Sequence, residues 1–248
     1  MKNKDQSAFD NCNVWIHGIS GRMGREISFV LTNGITKMNL QGGSSSSKGI
    51  PAFTDPSWSS SLILDFSSPK ANEVLRNLVV DAVGDRKLGI LIGTTGLEDR
   101  EVESWKILCE KNKKWLSVLF APNTSLGVML IGKALAKIAS YASDLGFDIS
   151  IEETHHKNKK DSPSGTALSL ARCIVDNSAF KLTDIGMLST RGGGNPGEHS
   201  AKLLGEHEEV TLSHRAYSRR LFALGAVRMG QWLQMQQPGF YTVNDIDL

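Results

Sequence analysis

Residues 151–166, IEETHHKNKKDSPSGT, bring together groups that can move protons and groups that can hold anions. His155 and His156 are adjacent, Lys157, Lys159 and Lys160 follow within a few positions, and Ser164, Gly165 and Thr166 end the stretch. Histidine titrates near neutrality, with an unperturbed pKa of about 6.5. A lysine crowded by other cations can have a lowered pKa and deliver a proton at neutral pH. Lys159 lies four residues after His155, close enough for both to face one pocket. The Ser-Gly-Thr end runs into ALSLARCIV, helical in pattern, so hydroxyls, free N–H groups and the positive end of a helix dipole meet there and suit a dianion. The competing reading is a solvated basic loop. A metal site is not expected, because adjacent histidines on a strand point to opposite faces and no carboxylate or cysteine at chelating spacing completes a zinc set.

The elements around this stretch must position it. Residues 14–17, VWIH, read as a short buried strand, followed by GISGRMG (18–24) and the helical pattern REISFVLTN. Strand, glycine-rich turn and helix make the first unit of a dinucleotide-binding fold. Gly18 would make the tight turn, Gly21 would let the backbone approach a pyrophosphate, and Gly24 would let the helix pack on the strand, while Arg22 adds a cation that favours phosphate. A second strand is expected over 37–42, leading into GSSSSK (43–48). No carboxylate there would repel a 2′-phosphate, and the serine hydroxyls, Lys48 and Arg22 are available to bind one. Residues 49–61 read as irregular connection, broken by Pro51 and Pro56.

Strands over 62–67, 88–92 and 115–120 alternate with helices over 69–83 and 98–113, the rhythm of a parallel doubly wound sheet. The strands end in polar or glycine-rich loops at 65–69, 93–96 and 121–125, which together read as a ligand-binding rim. A long amphipathic helix, 126–142, bridges into a second domain. There, 148–153 is a strand delivering the two histidines, 164–177 is a helix, and β-like segments run from 181 to 213. The glycine-rich stretch 191–199 between them could form a phosphate loop, but its place among β segments favours a long mobile connection. A helix over 219–235 packs back on the first domain, with short polar residues after it. His17 reads as core, His207 and His214 as surface, and His199 is unassigned. The fold class is α/β, a Rossmann-like parallel-sheet domain over 1–125 to which 220–248 returns, plus a smaller α+β domain over 126–219.

Composition is that of an ordinary globular protein, 40% hydrophobic and 22% charged, with a net charge of +2. No global nucleic-acid footprint follows from that charge. No run approaches the ~18 apolar residues of a membrane span, and the polar start lacks the apolar run of a signal peptide. Cys12, Cys109 and Cys173 are too scattered for a disulfide framework, so a cytoplasmic location is expected.

The phrases GISGRMG (18–24), DFSSP (65–69), GTTG (93–96), APNTSLGV (121–128), ETHHKNKKDSPSGTAL (153–168), GEH (197–199) and GAVR (225–228) occur in this order. In them the chain resembles the 4-hydroxy-tetrahydrodipicolinate reductase, or dihydrodipicolinate reductase, family. The resemblance runs nearly end to end, and the HHxxKxDxPSGTA pattern is its most specific part. It implies reduction of a cyclic, imine-containing dicarboxylate by NADPH or NADH in lysine and diaminopimelate biosynthesis, by a homotetramer assembled through the second domain. It implies His155 as proton donor and acceptor and Lys159 as proton donor, with His156, Ser164, Gly165 and Thr166 binding substrate carboxylates. It implies a dinucleotide site made by Gly18, Ile19, Ser20, Gly21, Arg22 and Met23, by Gly93, Thr94 and Thr95, and by Ala121, Pro122, Asn123 and Thr124. With ligands divided between two domains, closure over bound substrate is expected.

This sequence departs from the family pattern in three places. Ser20 replaces the usual middle glycine. The segment 43–61 carries neither the acid expected for NADH nor a clear arginine for NADPH, so NADPH or dual use is favoured. Asn158 and Lys160 alter the surroundings of Lys159. The alternatives are another Rossmann dehydrogenase acting on an amino-acid-derived dicarboxylate, and a non-catalytic nucleotide-binding sensor.

Overall fold

A computed structural model describes residues 12–53, 55, 58–81 and 86–247. The chain divides into two compact units, one running to Thr124 and taking in Phe222–Leu248, the other spanning Ser125–Leu221.

In the first unit β1 (Asn13–His17), β2 (Asn39–Ser44), β3 (Leu62–Asp65), β4 (Leu88–Ile92), β5 (Leu116–Phe120) and β10 (Gly239–Thr242) form a six-stranded sheet in the order β10-β5-β4-β3-β1-β2. Every pairing in it is parallel. β3 and β4 are buried at every residue, which is why residues 62–64 and 88–92 read as continuous apolar runs and not as alternation, with the buried Asp65 closing β3. The helices are α1 (Arg22–Thr32), α2 (Pro69–Val80), α3 (Asp99–Lys111) and α6 (Arg220–Gln234). Ser68 caps α2, with Pro69 in its first turn, and Glu98 and Glu101 form a capping box on α3. α6 lies on the sheet from Phe222 onward: a Cβ on Gly230 would stand 2.7 Å from Leu62 Cδ2.

Several elements differ from the sequence expectation. α1 begins at Arg22, so Arg22, Met23 and Gly24 are its first turn and not loop. Gly43 and Ser44 lie in β2, leaving 45–48 as the turn. α2 ends at Val80, and its expected end at Val83, like Pro56, lies outside the described residues. The polar end of the chain forms β10, which has no apolar run to mark it and adds to the sheet by backbone pairing with β5.

The loops at the C-terminal ends of β3 and β4 are tied together by one carboxylate. Asp65 is fully buried; it accepts from Asn72 Nδ2 at 2.7 Å, Thr94 Oγ1 at 2.9 Å, Ser67 N at 3.1 Å and Ser67 Oγ at 2.5 Å. Trp105 Nε1 in turn donates to Asn72 Oδ1 at 2.9 Å. Asp65→Ala would leave this set of buried donors unmatched, and a stability loss of about 3 kcal/mol is expected. Urea unfolding measures it; a loss below about 1 kcal/mol, within the ordinary range for a surface change, contradicts the assigned role.

In the second unit α4 (Leu126–Asp144) and α5 (Gly165–Val175) cover a four-stranded sheet of β6 (Asp148–His155), β7 (Ile185–Arg191), β8 (Glu198–Leu204) and β9 (Glu209–Arg215). Its order is β7-β6-β8-β9, with β6 and β7 parallel and the other pairs antiparallel. α4 is apolar and long enough to cross a bilayer, but its stripe of Ile131, Leu135, Ala139 and Ala142 joins Ile149, Ile151, Leu170 and Ile174 in the core of this unit.

Candidate active site

β6 supplies the centre of the site through its alternation. Ile149, Ile151, Glu153 and His155 are buried on one face. A carboxylate in register with core isoleucines is costly unless hydrogen-bonded and charge-compensated. Glu153, 3% exposed, is both. Arg191 Nη2 donates to its Oε1 at 2.7 Å, the Ser164 N–H donates to the same oxygen at 3.0 Å, and His155 Nδ1 pairs with Oε2. Burial pushes this carboxyl upward, but hydrogen bonds from Arg191, Ser189 and Ser164 outweigh it and hold the pKa at about 2.

Sheet register explains the assembly. The parallel pairing of β6 with β7 sets His155 beside Arg191, and the antiparallel pairing with β8 sets Glu153 opposite His199. The His155 and His199 rings meet edge-on, 5.0 Å apart at 74°, and His199 Nε2 lies 3.4 Å from Ser164 Oγ. Burial lowers the His155 pKa; Glu153 opposes this and the charge of Lys159 adds to it. Burial, and then His155, lower His199 to about 4.

The turn after β6 carries the lysines. Lys159 N donates to His156 O at 3.1 Å, and Lys159 Nζ pairs with Asp161 Oδ2 at 2.9 Å. Asp161 also meets the Gly165 N–H; burial raises its pKa, and the Lys159 ammonium and that N–H help lower it on balance. Arg191 Nη2 donates to Asp161 O at 2.5 Å. Ser164 caps α5, its Oγ accepting from Ala167 N at 3.2 Å, and the first turn of α5 holds no acidic residue. His156 is half-buried, as is Thr166, and Gly165 is exposed.

The glycine-rich stretch expected to be a mobile connection is fastened to this turn. His156 N donates to Asn195 O at 2.8 Å, Lys157 N to Gly193 O at 3.3 Å and Gly192 N to His155 O at 2.9 Å. Gly197 has φ +149, and a Cβ there would lie 3.0 Å from His155 Nε2. His214, expected at the surface, is half-buried, with Nε2 3.2 Å from Ser125 Oγ. Glu153, Arg191 and His199 had no assigned role in the sequence reading. The donor atoms of Glu153, His155 and His199 lie within 4.8 Å of one another, a grouping that linear spacing does not display. Arg191, the Ser164 N–H and His155 already engage both oxygens of Glu153.

The residues expected to hold a dinucleotide lie in the first unit. Gly18 has φ +90, and a Cβ on it would meet Phe66 O at 2.6 Å; on Gly24 a Cβ would meet Gly18 O at 2.3 Å. Gly21 caps α1 without a side-chain bond, and the first turn contains no acid, so the positive end of the helix fits a pyrophosphate. Ser20 and Arg22 are exposed and Met23 is half-buried; Arg25 Nε holds Ser20 O at 3.1 Å. Gly18 N and Ile19 N both donate to Ser44 O, at 2.9 and 3.0 Å. Ser44 itself is buried, its Oγ 2.6 Å from His17 Nδ1 and 3.2 Å from Trp15 Nε1, so of the four consecutive serines it is spent on structure. His17 Nε2 lies 3.1 Å from Ala71 O, consistent with a core histidine.

Gly93 packs under Phe66, where a Cβ would lie 2.3 Å from the ring. Thr94 is buried in the Asp65 network and Thr95 is exposed. Ala121 is buried, Pro122 exposed and Asn123 half-buried, while Thr124 Oγ1 donates to Phe222 O at 2.8 Å. The side chains of Thr94 and Thr124 therefore serve as struts for the loops that carry them.

The family model for the N-terminus of dihydrodipicolinate reductase matches residues 12–124, and that for its C-terminus matches 127–246. The 4-hydroxy-tetrahydrodipicolinate reductase of Rickettsia bellii is 36% identical, covering 94% of this chain and 93% of the relative. The chain belongs to the dihydrodipicolinate reductase family. The Aquifex aeolicus member is 40% identical over 64% of each chain. A dipicolinate-bound dihydrodipicolinate reductase from Paenisporosarcina sp. TG-14 superposes with a TM-score of 0.74 at 25% identity, covering 95% of this chain and 99% of that one. The C. glutamicum DAP dehydrogenase in complex with DAP shares the fold alone, with a TM-score of 0.56 and 12% identity over 96% of this chain and 94% of that one. Membership in the dihydrodipicolinate reductase family makes the chain an oxidoreductase with a dinucleotide-binding domain, and it favours this reading over the sensor and the other dehydrogenase.

Proposed function

We propose that the chain catalyses the NAD(P)H-dependent reduction of 4-hydroxy-tetrahydrodipicolinate to tetrahydrodipicolinate in lysine and diaminopimelate biosynthesis. The observation that carries the reading is the meeting of His155, Lys159 and the N-terminus of α5, whose first turn holds no acidic residue, in one unit of a chain that matches the family along nearly its whole length. The substrate carboxylates are held by His156, Ser164, Gly165 and Thr166, where N–H groups and the helix dipole favour negative charge. A nicotinamide cofactor, when bound, supplies the hydride. The 4-hydroxyl leaves as water to give a conjugated imine, hydride added to it leaves an enamine-like anion, and Lys159 or His155 supplies the proton that anion must take. Gly18–Met23, Gly93–Thr95 and Ala121–Thr124 hold the dinucleotide. Following nicotinamide absorbance with freshly generated substrate tests the proposal: oxidation dependent on both enzyme and dicarboxylate is expected, and none at any reasonable enzyme concentration sinks it.

NADPH, or both cofactors, is the expected donor. Exposed Ser46, Ser47, Lys48 and Arg22 offer hydroxyls and cations to a 2′-phosphate. A KM for NADH far below that for NADPH contradicts this. A cytoplasmic homotetramer completes the proposal; exposed Leu188 on β7 and Val210 on β9 provide apolar surface for subunit contact, and light scattering that finds a monomer at assay concentration counts against it.

A further inference from the structure

We propose that Glu153 is a positioning residue for His155 and that it couples the imidazole to the seat of the substrate carboxylate. The inference rests on the roles proposed for His155 and Ser164–Thr166. One carboxylate reaches both places: Oε2 pairs with His155 Nδ1, while Oε1 accepts from the Ser164 N–H at 3.0 Å. Ser164 is the cap of α5, so a displacement of Glu153 moves the proton site and the anion site together. Arg191 Nη2, 2.7 Å from Oε1, balances the charge and lets the carboxylate stay ionised in a buried position.

An ionised carboxylate on Nδ1 fixes the neutral imidazole with its proton on that nitrogen. Nε2 is then the nitrogen free to carry the proton exchanged with substrate. Gly197 lies against that nitrogen, where a Cβ would stand 3.0 Å from Nε2, so a residue with a side chain there would crowd it. The same carboxylate stabilises the imidazolium whenever His155 is protonated, as in hydrolytic triads. The charged and titratable groups around His155 are Glu153 from β6, Lys159 from the following turn, Arg191 from β7 and His199 from β8, with His214 of β9 acting on His199. Glu153 alone among those bearing on His155 favours its protonated form.

Two measurements test this. Long-range ¹H–¹⁵N correlation of the uniformly labelled wild-type enzyme at alkaline pH, with His155 assigned from the spectrum of His155→Gln, is expected to find the Nδ1–H tautomer; the Nε2–H tautomer overturns the proposal. In kinetics, Glu153→Gln is expected to lower kcat on the order of 10²-fold, with a smaller change in KM, and to move the limb of the pH profile set by His155 to lower pH. Glu153→Asp should recover part of both. An unmoved limb with undiminished kcat overturns the role of Glu153. If Glu153→Gln does not fold, the wild-type tautomer decides alone. A fully active His155→Gln enzyme would instead overturn the assignment of His155, whereas an inactive one beside an unaltered Glu153→Gln enzyme removes only Glu153.

Discussion

Replacing Lys159 with alanine is expected to lower kcat by a factor on the order of 10²–10⁴ while leaving the fold intact, the usual scale for losing a positioned general acid. Lys159 sits in the turn after β6, its N–H fixed to His156 O at 3.1 Å and its ammonium to Asp161 at 2.9 Å. Its charge is felt at His155, whose proton affinity it lowers. The side chain is partly exposed and lies outside both hydrophobic cores, so truncation should not unfold the protein. Thermal unfolding and steady-state kinetics on the same sample separate the two effects, and an unaffected rate removes Lys159 from the mechanism.

Acid should destabilise the second unit in two stages. His199 has a pKa of about 4 in the fold against 6.5 for the ordinary side chain. The unfolded chain therefore binds the extra proton first, so the contribution of His199 is full above pH 6.5 and is lost as pH falls from there towards 4. For the whole shift the loss is on the order of 3 kcal/mol. His155 shifts in the same direction and adds to this stage. Glu153, held at about 2 against 4.5, contributes fully above pH 4.5 and loses that contribution as pH falls towards 2. Urea unfolding between pH 8 and 4 should show stability dropping below about pH 6.5, and His199→Gln should flatten that part of the curve. Equal stability at pH 7 and pH 5 in the wild type contradicts it.

Much of the fold was legible because local patterns set it. The apolar runs at 62–64 and 88–92, the Ser68-Pro69 cap and the glycine turn after β1 each identify an element without reference to distant residues. β10 was not legible, because its four residues carry no apolar run; it pairs in parallel with β5, and Phe240 packs against the core of this unit. The proton-bearing stretch was visible as a run of residue types. Glu153 shares the parity of Ile149 and Ile151, so a buried carboxylate was readable from the alternation of β6. Its partners were not, because Arg191 and His199 come from other strands and meet it through a sheet register that no local pattern specifies. The four serines at 44–47 misled in the opposite direction: Ser44 has the residue type of a ligand but accepts from Trp15 and hydrogen-bonds to His17 inside the unit.

The most direct test of the central claim is a crystal structure of the enzyme with NADPH and a planar dicarboxylate such as dipicolinate. A carboxylate of the analogue is expected on the N–H groups of Gly165 and Thr166, with His155 Nε2 and Lys159 Nζ facing the ring. An ordered analogue bound away from residues 155–166 would contradict it.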